Sequence, residues 1–508
     1  MYLDITREDI TSELLGKFIH DDFNSEFKET MRTAEKYAMV ENEQITNRRK
    51  MMVLVDEKEN QFAKEDLSKS NIKIRHSYLN ELVTQCTNYL AGKPLRIDYK
   101  EGFDRVEDGD DTQIKHDQEL IEDELYQHNN FTNFIQRAVT NTQLYGVAYM
   151  RIVKDEHGNK FIHYDPKEII MFYNDFDEPI LAIRYFSKME LIEGEVIEVN
   201  YAEVFDEKYK DTWVKESGAY EKKDEDEPVY AEYTEYGNGE VKVNVKEYGL
   251  FPIIEWRFND ERIPTITHIK DFIDIQDLNF SDLANDVSDI QDAIWILENY
   301  QGQNLKDFMD DLNLRKAVKV GDGGDVRSET IQIPLEARNR LYEISTKNIY
   351  KYGFGIDFSD RDSLGNVTGV ALKWSYAPLE QKANSIENNG QNALNQFFNI
   401  LFELMGLDYD SNDLDFLFDR SMIANEQEIT QMVMSASPKL SDKTVLDVLP
   451  MVTDTEEELE RLENEKDQYP EIPEEFEESG NPFEDDDEED DSEDDEKDED
   501  DIDGDSTE

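Results

Sequence analysis

Cys86 is the only cysteine in 508 residues, which excludes an intrachain disulfide and a thiolate zinc site and fits a buried, inert thiol in a reducing compartment. The seven histidines include no His-Glu-x-x-His pair, so each reads as structural or solvated. No Gly-x4-Gly-Lys-Ser/Thr loop is present, so any ATP-driven step falls to a separate motor. Long apolar runs are missing as well. The richest, QFFNILFELM at 396–405, is too short and interrupted to cross a bilayer, and MYLDITRED lacks the basic start and apolar core of a secretion signal. Positive charge is scarce: 53 Lys and Arg face 120 Asp and Glu, for a formal net charge of -67. Residues 484–508 hold 19 acids against the lone Lys497, so most of the excess lies outside this tail. Proteins that grip nucleic acid supply Lys and Arg to its phosphates, and this chain does the opposite. Two readings of the acidity stay open: a solvated surface that keeps the protein soluble, or a surface past which DNA moves without sticking.

What is present is enough apolar content, 38%, for more than one core. The first seventy residues carry amphipathic runs near Ile10–Ile19 and Phe27–Met39 and read as a helical arm rather than a domain. Arg48, Arg49 and Lys50 read as salt-bridge donors, not as a DNA site. Ser77 is a candidate N-cap for a helix halted at Gly92 and Pro94, and a second helical stretch runs from Gln113 to Tyr145 and stops at Gly146. Strand-like runs follow at 147–153, 160–164, 168–173, 180–186, 195–205, 239–249 and 251–256. Helices and strands in separate blocks predict an α+β fold.

The most definite shape begins at Thr265. A helix of about thirty residues to Asn299 would be a rod of about 45 Å. Phe280, Leu283, Val287, Ile290 and Ile294 form a narrow apolar seam along it, with Asp271, Asp274, Asp282, Asp286, Asp289 and Asp292 on its other faces. AIWIL at 293–297 turns β-like, NLKDFMDDL at 304–312 predicts a short amphipathic helix, and AVKV (317–320) is expected to meet TIQI (330–333) across GDGGD (321–325). Pro334 suits the first turn of a returning helix that ends at Gly353, and a polar, glycine-bearing stretch, FGIDFSDRDSLGN (354–366), follows. A further helix starts near Thr368, with Pro378 as a candidate kink. Asp408, Asp410, Asn412 and Asp419 match calcium-loop positions, but Asp413 stands where that loop needs glycine, so a plain acidic turn is expected and no metal site. The stem acids are splayed around a helix and do not converge as a two-metal nuclease requires.

In this order, helix, small β module, helix, loop and long helix, the chain resembles the portal proteins of tailed bacteriophages, specifically long-tailed phages of Gram-positive hosts. Supporting strings are YLAGKPL (89–95), the Gly249, Pro252, Ile253 run, TGVALKW (368–374), LSDKTVLDVLP (440–450) and TEEELERLENE (455–465). The resemblance implies a wing at 71–262 behind an arm at 1–70, stem helices at 263–296 and 334–353, and a clip at 297–333. It further implies a tunnel loop at 354–366, a kinked helix at 367–420 returning to the wing, and a helical crown at 421–468; composition makes 469–508 a disordered acidic tail. Packing in the stem would use Phe280, Leu283, Val287, Ile290 and Ile294. Ile356, Asp357, Phe358, Ser359, Asp360, Arg361, Asp362 and Leu364 would face DNA in the channel, and Leu305, Lys306, Phe308 and Met309 would form the clip's partner surface. Implied with these are no cofactor and no catalysis, and a ring of twelve copies at a capsid vertex, assembled in the host cytoplasm. The implied partners are terminase large subunit, head-tail adaptor, major capsid and scaffolding proteins, and double-stranded DNA passing without sequence-specific binding. An acidic scaffolding or binding protein without a channel, and a metal-dependent hydrolase, are the competing classes.

Overall fold

The computed structural model describes residues 3, 5–43, 51–55, 61–65, 70–100, 111–155, 158–192, 194–216, 218–235, 241–289, 294–298, 325–329, 334–358, 374–421 and 437–449, with scattered residues between 430 and 462 besides. Two compact units divide the chain, Met1–Ile423 and Ala424–Glu508. In the first, helices α1 (Ser12–Phe23) and α2 (Glu26–Ala38) lead through strands β1 (Met51–Val55) and β2 (Gln61–Glu65) to α3 (Tyr78–Ala91), β3 (Arg96–Tyr99), α4 (Asp111–Glu122) and α5 (Phe131–Tyr145). The β-rich block follows: β4 (Val147–Asp155), β5 (Gly158–Tyr164), β6 (Ile169–Tyr173), β7 (Pro179–Ile192), β8 (Glu195–Phe205), β9 (Tyr209–Glu216), β10 (Ala219–Pro228), β11 (Ala231–Glu235), β12 (Val241–Val245) and β13 (Ile254–Arg257). Then come α6 (Ile266–Asp289), β14 (Ile294–Glu298), β15 (Asp325–Glu329), α7 (Leu335–Gly353), α8 (Ala377–Met405) and β16 (Leu414–Leu417). The second unit carries a 3-10 turn at Ser437–Lys439 and α9 (Asp442–Val448), whose N-cap Ser441 accepts from the Thr444 N–H. This is the α+β arrangement that the block order predicts.

The main sheet is antiparallel in the order β10-β9-β8-β7-β6 and is buried on both faces over β6 and the adjoining parts of β7 and β8. Alternation does the sorting: Ile170, Phe172, Leu181, Ile183, Ala202 and Val204 meet Leu15 and Phe18 of α1, while Ile169, Met171, Tyr173, Ala182 and Phe205 share a core with Met31 of α2. The first helices are therefore not a free arm. Arg7 fastens them further, its guanidinium bonded to Asp206 (2.8 Å), Asp226 (2.6 Å) and Asp211. The expected Gln113–Tyr145 helix is also interrupted, because Asn130 adopts φ 44 and caps α5 through the Asn133 N–H.

The largest core joins α3, α5 and α8 to a second sheet of order β13-β4-β5. Trp256 is fully buried there and donates from Nε1 to the Ile386 carbonyl at 3.0 Å. Helix α8 lies so close that a Cβ on Gly390 would stand 2.3 Å from Trp256 Cζ2. Gly390→Ala is expected to lower stability by about 2 kcal/mol, since overpacking outweighs the gain in helix propensity; a urea midpoint at or above wild type would show that α8 can retreat from the indole. Pro378, expected as a kink, sits in the first turn of α8, where its missing N–H costs no helical bond. After the helix comes β16, which pairs antiparallel with β3 from Leu414↔Tyr99 to Leu417↔Arg96.

Candidate functional site in the paired helices α6 and α7

Helix α6 ends at Asp289, short of the expected Asn299, because the β-branched and aromatic run that follows forms β14. Ile294 is thus in a strand and cannot belong to a helical seam. Strand β14 pairs antiparallel with β15, from Ile294↔Glu329 to Glu298↔Asp325, so Asp325 opens a strand rather than closing a turn. Ile290, the 304–312 helix with Leu305, Lys306, Phe308 and Met309, and the expected 317–320 and 330–333 strands lie outside the described residues.

The buried stripe of α6 is apolar only at its start. Ile269 and Ile273 are buried, and then the same face carries Gln276, Asp277, Ser281 and Asn285, none more than 1% exposed. These side chains bond backbone. The segment 70–77 runs antiparallel to α6: Asn285 accepts from the Ile72 N–H (2.7 Å) and donates to its carbonyl (3.0 Å), and Ser281 does the same for Ile74 (2.9 and 3.3 Å). Asp277 accepts from the His76 N–H (2.9 Å) and lies 2.8 Å from His76 Nδ1, while Asn42 donates to its other oxygen (2.9 Å). Four helical residues rise about 6 Å and two extended residues about 6.6 Å, so a polar residue every fourth position on the helix meets alternate residues of the strap. Asp277→Ala would leave a backbone N–H and two side chains without their shared acceptor. An expected loss of about 3 kcal/mol follows, seen as a lower urea midpoint; an unchanged midpoint would mean that the strap contributes nothing to holding α6.

Helix α7 returns antiparallel, and this contact is polar too. Gln276 donates to Thr346 Oγ1 (2.6 Å) and the Tyr342 carbonyl (3.0 Å), Asn279 donates to the Arg338 carbonyl (3.1 Å), and Arg338 pairs with Asp286 (2.7 Å). Phe280 packs on His76 and Tyr342, with ring centroids 4.8 and 5.2 Å away, and Phe272 stacks on Tyr352. Of the acids expected to line an outer face, Asp274 and Asp286 are engaged inside the chain, Asp274 by Lys270 (2.8 Å) and the Tyr37 hydroxyl. Burial, then the Asp274 contact, raises Tyr37 above the ordinary tyrosine range, and burial pushes Tyr78 up to about 12. Large apolar side chains are left outside: Ile275, Leu278, Val287, Leu335, Leu341 and Ile344 are 38–57% exposed, and Leu283 is half-buried. Large apolar side chains left exposed along both helices are available to an interaction surface.

The segment after α7 is anchored over its described residues, 354–358. Phe354 closes the helix with φ 57, and the Gln85 side chain of α3 accepts from the Ile356 N–H and donates to its carbonyl, both at 3.0 Å. Ile356 is 6% exposed in the large core, so the sequence-based assignment of this residue to a channel wall is corrected: it is an anchor. Asp357 is half-buried and helps hold the Tyr350 hydroxyl, already pushed up by burial and by Glu81, in its neutral form. Phe358 is 40% exposed, and Ser359, Asp360, Arg361, Asp362 and Leu364 lie outside the described residues. The 408–419 stretch contains β16, whose extended pairing with β3 prevents these acids from wrapping around one ion. No cluster of three or more His, Cys, Asp or Glu suited to a metal ion occurs among the described residues, and no described helix is long and apolar enough to cross a membrane.

A long helical pair held together largely by buried polar side chains, with large apolar ones left exposed and a small β module between the two helices in sequence, suits a structural component of a larger assembly. Residues 17–471 match the family described as "Phage portal protein, SPP1 Gp6-like", and the chain belongs to that family, a non-enzymatic bacteriophage component that serves DNA packaging at the capsid. It is 29% identical over 423 residues to the portal protein of Bacillus phage SPP1, covering 80% of this chain and 78% of that one. It is 25% identical over 413 residues to the portal protein of Clostridium phage phiCD119, covering 77% and 84%. Both relatives agree with the resemblance to portals of phages with Gram-positive hosts.

Proposed function

We propose that twelve copies of this chain close into a ring at one capsid vertex and form the conduit through which double-stranded DNA enters during packaging and leaves during ejection. The observation that carries this reading is the stem. Its two helices bond each other through buried polar side chains, which leaves Leu278, Val287, Leu335, Leu341 and Ile344 exposed for neighbouring copies. Around a closed ring each apolar face is covered by the next subunit, while unpaired carboxylates such as the exposed Asp271 remain for solvent or lumen. A wall with this excess of acid repels DNA phosphates and so lets a duplex slide. The module at 297–333 serves as the clip, meeting terminase large subunit during filling and the head-tail adaptor afterwards, and its surface centres on Leu305, Lys306, Phe308 and Met309. The wing contacts the major capsid and scaffolding proteins as the particle assembles in the host cytoplasm. Negative-stain microscopy with mass measurement of the purified chain tests the core of this proposal: a ring of twelve with a central hole supports it, whereas a stable monomer at all concentrations would favour an acidic binding protein without a channel.

A further inference from the structure

The end of α7, the entry to α6 and the start of α8 enclose a cavity of about 220 Å³ lined by Phe258, Thr265, His268, Tyr352, Lys382 and Ser385. Two of these side chains are buried with their polar ends poorly served. Lys382 is 5% exposed, and its ammonium has one hydrogen bond, a long one of 3.4 Å to the Gly353 carbonyl, with the Phe258 ring centroid 5.9 Å away. Thr265 is 4% exposed, and its hydroxyl has no hydrogen-bond partner among the described residues. The contrast with Lys28, the other lysine buried this deeply among the described residues, is informative. Lys28 donates to the carbonyls of Pro166 and Ile169 at 2.7 Å each and stands 3.4 Å from the Asp22 carboxylate. Lys382 has no carboxylate partner among the described residues, although the sequence holds 120 acids. A buried ammonium without an anion is costly, and burial lowers the pKa of Lys382 accordingly.

We propose that this cavity is an oxyanion site that takes a free phosphate or sulfate ion, with the Lys382 ammonium supplying the charge and the Thr265 hydroxyl a directed donor. A water molecule occupies about 30 Å³ of liquid, so the space accommodates a tetrahedral ion together with bridging water. His268 and Ser385, on the same wall, offer further donors. The ion favours the charged form of Lys382 and ties α8 to the carboxyl end of α7, immediately before the anchored segment begins. The inference does not depend on ring formation, since all the residues named belong to one chain.

The test is calorimetric titration of the purified full-length protein with inorganic phosphate at constant ionic strength, chloride replacing phosphate in the control. Saturable binding to one site per chain is expected, weakened at least about tenfold in Lys382→Met and about fivefold in Thr265→Val. Methionine suits a buried stem, and circular dichroism checks that the variant folds. If it does not fold, Thr265→Val decides: fivefold weaker binding supports the site and unchanged binding overturns it. Absence of saturable binding to wild type at millimolar phosphate overturns the proposal, as does equal affinity in wild type and both variants, which would make the bound phosphate an adventitious ion only.

Discussion

Asp introduced at Leu283 and Val287 together is expected to yield a folded chain that no longer assembles into rings. Val287 is 57% exposed and Leu283 half-buried, so within one chain the two carboxylates remain hydrated and the unfolding free energy should change by less than about 1 kcal/mol. In a ring the same positions would be covered by a neighbour. Burying a carboxylate without a partner costs several kcal/mol, and α6 already carries Asp282 and Asp286 close by, with Arg338 already engaged by Asp286 at 2.7 Å. Closure repeats the penalty at every interface, which turns a moderate local cost into loss of the assembled state. Light scattering or native mass measurement reads the outcome directly. Intact rings from the double variant would show that this face of α6 points away from neighbouring subunits, and the ring interface would have to be sought along Leu335, Leu341 and Ile344 of α7.

The parts of this fold that sequence periodicity exposes are those in which one rule acts alone. Strands β6 and β8 are legible as the apolar and β-branched runs at 168–173 and 195–205, and α5 repeats apolar residues at helical spacing up to a glycine stop at φ 79, whereas β9 and β10 were not placed individually and the Asn130 cap that starts α5 was missed. The stem was legible as two helices and misread in its faces. A stripe of Asp277, Ser281 and Asn285 looks like a solvent face, yet it is buried as deeply as the apolar start of the helix, because its partner is a strap of bare backbone rather than another apolar surface. Spacing of small polar residues by four, opposite a stretch with alternating demands, was the available signal. For the same reason Phe280 turns inward onto His76 and Tyr342 while Val287 stays outside, although a helical wheel places them in one seam. Ile356 was misassigned because its loop is polar overall; the Gln85 amide that pins it comes from 271 residues away in sequence, beyond the reach of any local pattern. Local chemistry likewise assigned Pro378 to a bend, when proline at a first turn and proline at a kink differ only in where the helix begins.

Replacing Asp357, Asp360 and Asp362 by Lys is expected to slow DNA packaging by about tenfold or to stop it, while rings still form. The start of this segment is fixed, since Gln85 holds Ile356 at both backbone groups. Repeated around a channel, three acids per copy repel phosphates, Arg361 offers one compensating contact, and Phe358, 40% exposed, and Leu364 can lean on groove surfaces without reading sequence. A conduit needs side chains that hold position yet release the duplex. Charge reversal converts repulsion into attachment: each lysine that neutralises a phosphate releases a counterion and steepens the salt dependence by about one in the log-log slope. Retention in the triple variant should therefore be worst at low salt and ease as ions screen the attraction, with a Debye length of about 10 Å at 0.1 M. The measurement is packaging rate in a reaction containing rings, terminase and ATP, taken across a salt series. A rate equal to wild type at every salt concentration would mean that the loop does not line the channel, and its role would have to pass to another element of the ring.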